Sequence, residues 1–158
     1  MPTVKQFEDL NVWKASRSLV NLIYENTRTQ TFSRDFALRD QIRKAAISVM
    51  SNIAEGLDSG YDAEFIRFLG FSFRSTGEVQ SQLYTALDQG YVTLEEFQSA
   101  YDKAVDVRKQ IRSLISYLTT NKRSGRQIRE NGAIYLSGES YIVFNEVIDL
   151  PIEFLASD

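Results

Sequence analysis

Ser48, Asn52 and Glu55 fall four and three residues apart, so on a helix they rise up one side and bring a hydroxyl, an amide and a carboxylate together. Ser75 and Glu78 repeat the three-residue step further along the chain. Two chemistries fit this set. Glu55, Glu78 and Asp62 could supply a carboxylate metal site, but the chain lacks the Glu-x-x-His pairs that carboxylate di-iron bundles use. The alternative is a buried hydrogen-bond layer of Ser48, Asn52, Glu55, Ser75 and Glu78, with Arg43 or Arg74 as countercharge. Such layers fix the register of small bundles, and unpaired polar groups inside them are costly. The layer is the stronger reading.

Composition closes most other routes. The chain has 158 residues, of which 43% are hydrophobic, with no cysteine and no histidine. That removes disulfides, thiol nucleophiles, imidazole bases and ordinary zinc sites, so no catalytic constellation and no cofactor is expected. No apolar run approaches the roughly 20 residues a membrane helix needs, and the amino-terminal residues lack the apolar core of a signal peptide. A cytoplasmic protein that does not touch the membrane is expected, and its length suits one core.

The net charge of −3 conceals a segregation. Residues 1–130 carry all 18 Lys and Arg against 16 acids, whereas residues 131–158 carry 5 acids and no base. Between residues 103 and 129, eight bases face Asp106 alone. Arg39, Arg43, Lys44, Arg108, Lys109, Arg112, Lys122, Arg123 and Arg126 are therefore candidate phosphate contacts. Arg108 and Arg112 lie one helical turn apart and could follow one nucleic-acid backbone. The same bases also fit a solvated helix face, or a surface that the acidic tail covers in competition with nucleic acid.

Four helices must position these residues. The first is expected from about Phe7 to Thr27, apolar on two sides and so wanting two partners, either within a bundle or across an oligomer contact through Trp13. The second opens after Ser33 as N-cap and ends at Gly56, where glycine can turn left-handed. The third runs from about Asp62 to Gln89. Its core stripe includes Phe65, Leu69, Ser72, Thr76, Val79 and Leu83, and Phe71 and Phe73 flank it, so at least one of these two needs cover from another helix or subunit. Small residues mid-helix pair it closely with the second helix, and Gly77 calls for a packing reason. Thr93 and Glu96 form a capping box that opens the fourth helix, which reaches about Thr120. Short loops between such helices give an all-α, antiparallel up-down-up-down four-helix bundle over residues 1–121.

Residues 122–130 read as a basic linker and residues 131–158 as an acidic, apolar-rich extension. In the extension Ala133–Leu136 and Tyr141–Val147, separated by Ser137, Gly138 and Glu139, could pair as a hairpin, which would need to lie against the bundle or a partner.

Residues 7–118 resemble the S23 family, encoded in intervening sequences of bacterial 23S ribosomal RNA genes, which includes the accessory variability proteins of diversity-generating retroelements. The run from Ser48 to Gly56 is the most specific match. Val12, Trp13 and Tyr24, the stretch Gln41–Ala46, Glu64, Phe65, Phe68, Leu69, Gln82 and Leu83, and the turn Gly90–Val92 support it. The resemblance implies a four-helix bundle, commonly a homopentamer, with no established catalysis. For the retroelement members it also implies RNA and a reverse transcriptase as partners. Two function classes stay open. One is a non-enzymatic RNA-binding accessory protein. The other is a homo-oligomeric scaffold that engages protein partners through Trp13, Phe71, Phe73 and the tail.

Overall fold

In the computed structural model, residues 3–123, 129–130 and 133–135 are described. Helix α1 spans Asn11–Thr27, α2 Phe36–Asp58, α3 Asp62–Asp88 and α4 Leu94–Arg123. The α2–α3 and α3–α4 connections are only three and five residues long, too short for anything but antiparallel neighbours. Each helix packs on the two beside it around the bundle, with α2 and α3 in the most extensive contact. Leu19, Ile23, Ile42, Val49, Ile53, Phe65, Leu69, Leu83, Val107 and Ile111 form its fully buried centre.

The helix ends depart from the sequence reading for local electrostatic reasons. Phe7–Asp9 is a 3-10 turn, not the start of α1, which is 17 residues long. The Asp9 carboxylate accepts the backbone N–H groups of Lys5 at 3.0 Å and Gln6 at 3.2 Å, and these two donors hold its pKa below the usual 3.8. The N-cap of α2 is Asp35, not Ser33. Its carboxylate accepts from the Leu38 N–H at 3.0 Å, while Ser33 sits in the 3-10 turn Phe32–Arg34. The capping box of α4 forms as read, with Thr93 N–H to Glu96 at 2.8 Å and Glu96 N–H to Thr93 at 3.1 Å.

Gly56 does not end α2. The helix runs on to Asp58, and the left-handed glycines are Gly60 (φ 79°) and Gly90 (φ 71°). Gly56 is buried against α3, where a Cβ would meet Phe68 Cβ at 2.7 Å and Phe65 Cδ2 at 2.8 Å. It is there for close approach.

Three short strands cap the bundle end where α1 begins. They are β1 (Thr3–Val4), β2 (Arg129–Glu130) and β3 (Ala133–Tyr135), in the order β1-β3-β2 and all antiparallel. The expected hairpin is thereby corrected. Ala133–Tyr135 pairs with Arg129–Glu130 on one side and with Thr3–Val4 on the other, and the proposed second arm, Tyr141–Val147, lies outside the described residues. Only Asn131 and Gly132 separate β2 from β3 in sequence, the pair that most strongly specifies a two-residue hairpin loop.

Candidate nucleic-acid interface

The polar set that opened the sequence reading divides. Ser48 Oγ lies 3.0 Å from Ser75 Oγ across the α2–α3 seam, and Asn52 Nδ2 donates to the Ser48 carbonyl at 2.8 Å and to its hydroxyl at 3.0 Å. Ser72, fully buried, donates to the Val49 carbonyl on α2 at 2.8 Å, and Thr76 donates to the Ser72 carbonyl at 2.8 Å. Glu55 and Glu78 stand outside this seam, exposed, with Glu78 accepting from Gln82 Nε2 at 3.2 Å. Hydroxyls and one amide satisfy each other there without a charge, so no countercharge is needed. Arg74 is exposed, and Arg43 turns to α1. Among the described residues no three acidic groups gather into a metal-holding cluster.

The candidate bases fall on two different sides. Arg43 donates to Thr27 Oγ1 at 2.7 Å and lies 4.5 Å from the centre of the Tyr24 ring, so it fills the α1–α2 groove. Arg39 is held by Asp40 at 2.7 Å and donates to the Ser33 carbonyl at 3.1 Å. Lys44 is exposed. Arg108 and Arg112 meet Phe73 on the α3–α4 side, and Lys109 is exposed on the same helix, α4. The two sets therefore do not form one surface within a chain. Lys122 and Arg123 occupy the last turn of α4, with side chains outside the described set, and Arg126 lies outside the described residues altogether.

The α3–α4 groove is a ladder. Residues 73, 77, 80 and 84 of α3 share one side by their spacing of three and four, as do 101, 105, 108 and 112 of α4. The contacts between them run in register. Tyr84 meets Tyr101 edge-on at 5.6 Å, and Arg108 donates to Gln80 Oε1 at 2.8 Å. The Arg108 guanidinium passes over the Phe73 ring at 4.0 Å, with Arg112 5.3 Å from the same ring. Gly77 leaves the space for this. A Cβ there would stand 3.0 Å from Arg108 Nη1, which is the packing reason the sequence asked for. Burial, and then the like charge of Arg112, lower the Arg108 pKa from its ordinary value.

Of the expected oligomer contacts, Phe73 is thus covered within its own chain by two arginines. Trp13 is half-buried, with its ring 4.9 Å from that of Phe7. Phe71 is half-buried, edge-on to Phe68 at 5.8 Å, with the Arg67 guanidinium 5.5 Å away.

Sequence reasoning passed over the aromatic end of this groove. Tyr84 is 51% exposed and leans on Phe97 at 5.0 Å, while Tyr101 stacks on Phe97 at 5.3 Å. The Tyr101 hydroxyl beside it raises the Tyr84 pKa above 10.0. The missed signal was spacing, since Tyr84 lies two helical turns from Gly77, as Tyr101 does from Arg108.

Two comparisons place the chain among known proteins. The family model for 23S rRNA-intervening sequence protein matches residues 8–113. Five chains of solved structures match. One is the crystal structure at 1.70 Å of a protein of unknown function from the S23 ribosomal protein family of Bacteroides thetaiotaomicron VPI-5482. It is 22% identical, with a TM-score of 0.61 over 66% of this chain and 97% of that one, a likeness of fold. No curated protein matches.

Proposed function

Because the chain belongs to the 23S rRNA-intervening sequence protein family, we propose that it is a non-enzymatic, homo-oligomeric, cytoplasmic protein that binds RNA through the basic side of α4 and serves a reverse transcriptase as accessory. One observation carries the reading. From Val107 to Arg123, α4 holds Arg108, Lys109, Arg112, Lys122 and Arg123 and no acid. Lys109 and Arg112 are exposed, and among the described residues neither forms a salt bridge; those found are Arg39–Asp40 and Arg67–Glu64. Cations without carboxylate partners keep their charge available for phosphates, and releasing condensed counterions supplies the affinity.

The seam between α2 and α3 supports the non-enzymatic part, since its hydroxyls are bonded to one another and to helix carbonyls. No described helix is long and apolar enough to cross a membrane.

The test is a salt titration of RNA binding by the full chain, with mass measured by light scattering. A steep fall of affinity with salt, a mass that is a defined multiple of 18.1 kDa, and weaker binding by Lys109→Ala/Arg112→Ala are expected. An oligomer that binds no RNA at low salt overturns the RNA reading and leaves a scaffold. Co-purification with a reverse transcriptase from cells that carry both proteins tests the accessory role.

A further inference from the structure

The α3–α4 groove carries more than charge. Along one line it runs from Tyr84 and Tyr101 to Arg108 and Arg112, which cover Phe73, and none of the residues at positions 73, 77, 80, 84, 101, 105, 108 and 112 is acidic. The nearest acids on this part of α4 are each engaged by a glutamine one turn away, Asp102 by Gln98 at 2.8 Å and Asp106 by Gln110 at 3.0 Å. Phosphates need only cations, so a purely electrostatic site has no use for an exposed ring. Tyr84, half in solvent and braced from behind by Phe97 and Tyr101, offers a rigid face on which a base can stack. An aromatic platform that continues into a row of cations is the arrangement that holds single strands, because bases inside a duplex are already stacked on one another.

On the opposite side the arginines are already engaged. There Arg43 is spent on Thr27 and Tyr24, Arg39 is neutralised by Asp40, and Glu25 stands beside Tyr24 in the sequence. Phe36 is exposed on that side too, with the Arg39 guanidinium 4.9 Å from its ring, but it is on the α3–α4 side that an exposed ring adjoins arginines with no carboxylate partner among the described residues.

We propose that the α3–α4 groove is a single-stranded RNA site in which a base stacks on Tyr84 and the following phosphates lie along Arg112 and Lys109. This rests on the RNA-binding reading above and sharpens it from RNA in general to unpaired RNA. From Tyr101 to Arg112 the groove extends eleven residues, about 16 Å at the rise of an α-helix. That matches roughly four or five nucleotides stacked at about 3.4 Å each. Arg108 has a different role. It is packed between Gly77 and Phe73 and bonded to Gln80, so it shapes the groove and contributes field.

The experiment compares a short fluorescein-labelled oligouridine with a blunt RNA duplex of the same length, by anisotropy, on full-length wild type, Tyr84→Ala and Arg112→Ala. Circular dichroism checks that the variants keep their helix content, which Tyr84 at the surface and Arg112 at the rim make the expected result. Wild type binds the single strand at least about tenfold more tightly than the duplex. Tyr84→Ala loses about tenfold of single-strand affinity without changing the slope of log affinity against log salt. Arg112→Ala reduces that slope by about 0.7.

Equal affinity for strand and duplex, or no loss in Tyr84→Ala while Arg112→Ala still weakens binding, overturns the single-strand site and leaves the RNA-binding reading standing. Absence of binding to either RNA overturns both.

Discussion

Helix α3 shows two sides that use polarity in opposite ways. Towards α2 it presents Ser72, Ser75 and Thr76, short hydroxyls that bond carbonyls or one another at 2.8–3.0 Å and leave nothing over. Towards α4 it presents Phe73 under two guanidinium groups, Gln80 bonded to Arg108 and Tyr84 against Tyr101, and positive charge remains unneutralised at the rim. A glycine marks each seam. Gly56 lets two helix backbones close on each other, whereas Gly77 makes room for a long flexible cation. The first seam fixes register inside the fold; the second holds its polar groups where something outside can reach them.

The sharpest way to break this contrast is Gly56→Ala. Its new Cβ would meet the Phe68 Cβ and the Phe65 ring below 3.0 Å, atoms fixed close to the α3 backbone. A loss of about 2 kcal/mol in denaturant unfolding is expected, and an unchanged midpoint would show the seam to be looser than described. Next comes Ser72→Ala, which removes the buried bond to Val49 at about 1 kcal/mol. A Ser48→Ala/Ser75→Ala double-mutant cycle should give a coupling of about 0.5 kcal/mol or more. Additive single effects would mean that their 3.0 Å contact contributes nothing.

Gly77→Ala should act in the other direction. The atom in the way is the far end of Arg108, which can swing aside, and alanine gains up to about 1 kcal/mol of helix propensity. Thermal unfolding should therefore show a stability equal to or slightly above wild type; a loss as large as that of Gly56→Ala would erase the distinction between the seams.

The smallest effect lies at the bundle end that fastens both. The Tyr91 hydroxyl donates to Asp35 at 3.1 Å, and this bond comes first among the causes that raise its pKa above 10.0. A raised phenol contributes stability that is intact below pH 10 and lost as pH climbs through the folded value. Melting temperature should accordingly fall more between pH 9 and pH 11 in wild type than in Tyr91→Phe.

Much of this architecture was legible because it depends on periodicity. The core stripe of α3 follows from residues at helical spacing, and the Thr93–Glu96 box fixes a helix start by itself. What stayed hidden depends on neighbours that spacing does not name. Gly56 reads equally well as a terminator or as a contact, and only the position of Phe65 and Phe68 decides. Glu55 and Glu78 keep the step of the seam hydroxyls yet point out, since a few tens of degrees around a helix separate seam from solvent. Arg108 and Phe73 were read as a phosphate contact and an oligomer contact, and the fold places them on each other. In the tail Ala133–Tyr135 pairs with Arg129–Glu130, and its pairing with Thr3–Val4 had no local signal at all.

That last pairing has a consequence for synthesis. Val4 stands opposite Ile134, so β1 is translated first and must wait for a partner about 130 residues later. Once α4 is complete at Arg123, Ile134 is still about 11 residues away, roughly 0.5 to 2 s at about 5 to 20 residues per second, which is longer than the microseconds to milliseconds in which helical bundles form. The four helices can assemble while the amino-terminal strand is still bare. The sheet can then close on a formed scaffold, joining residues about 130 positions apart.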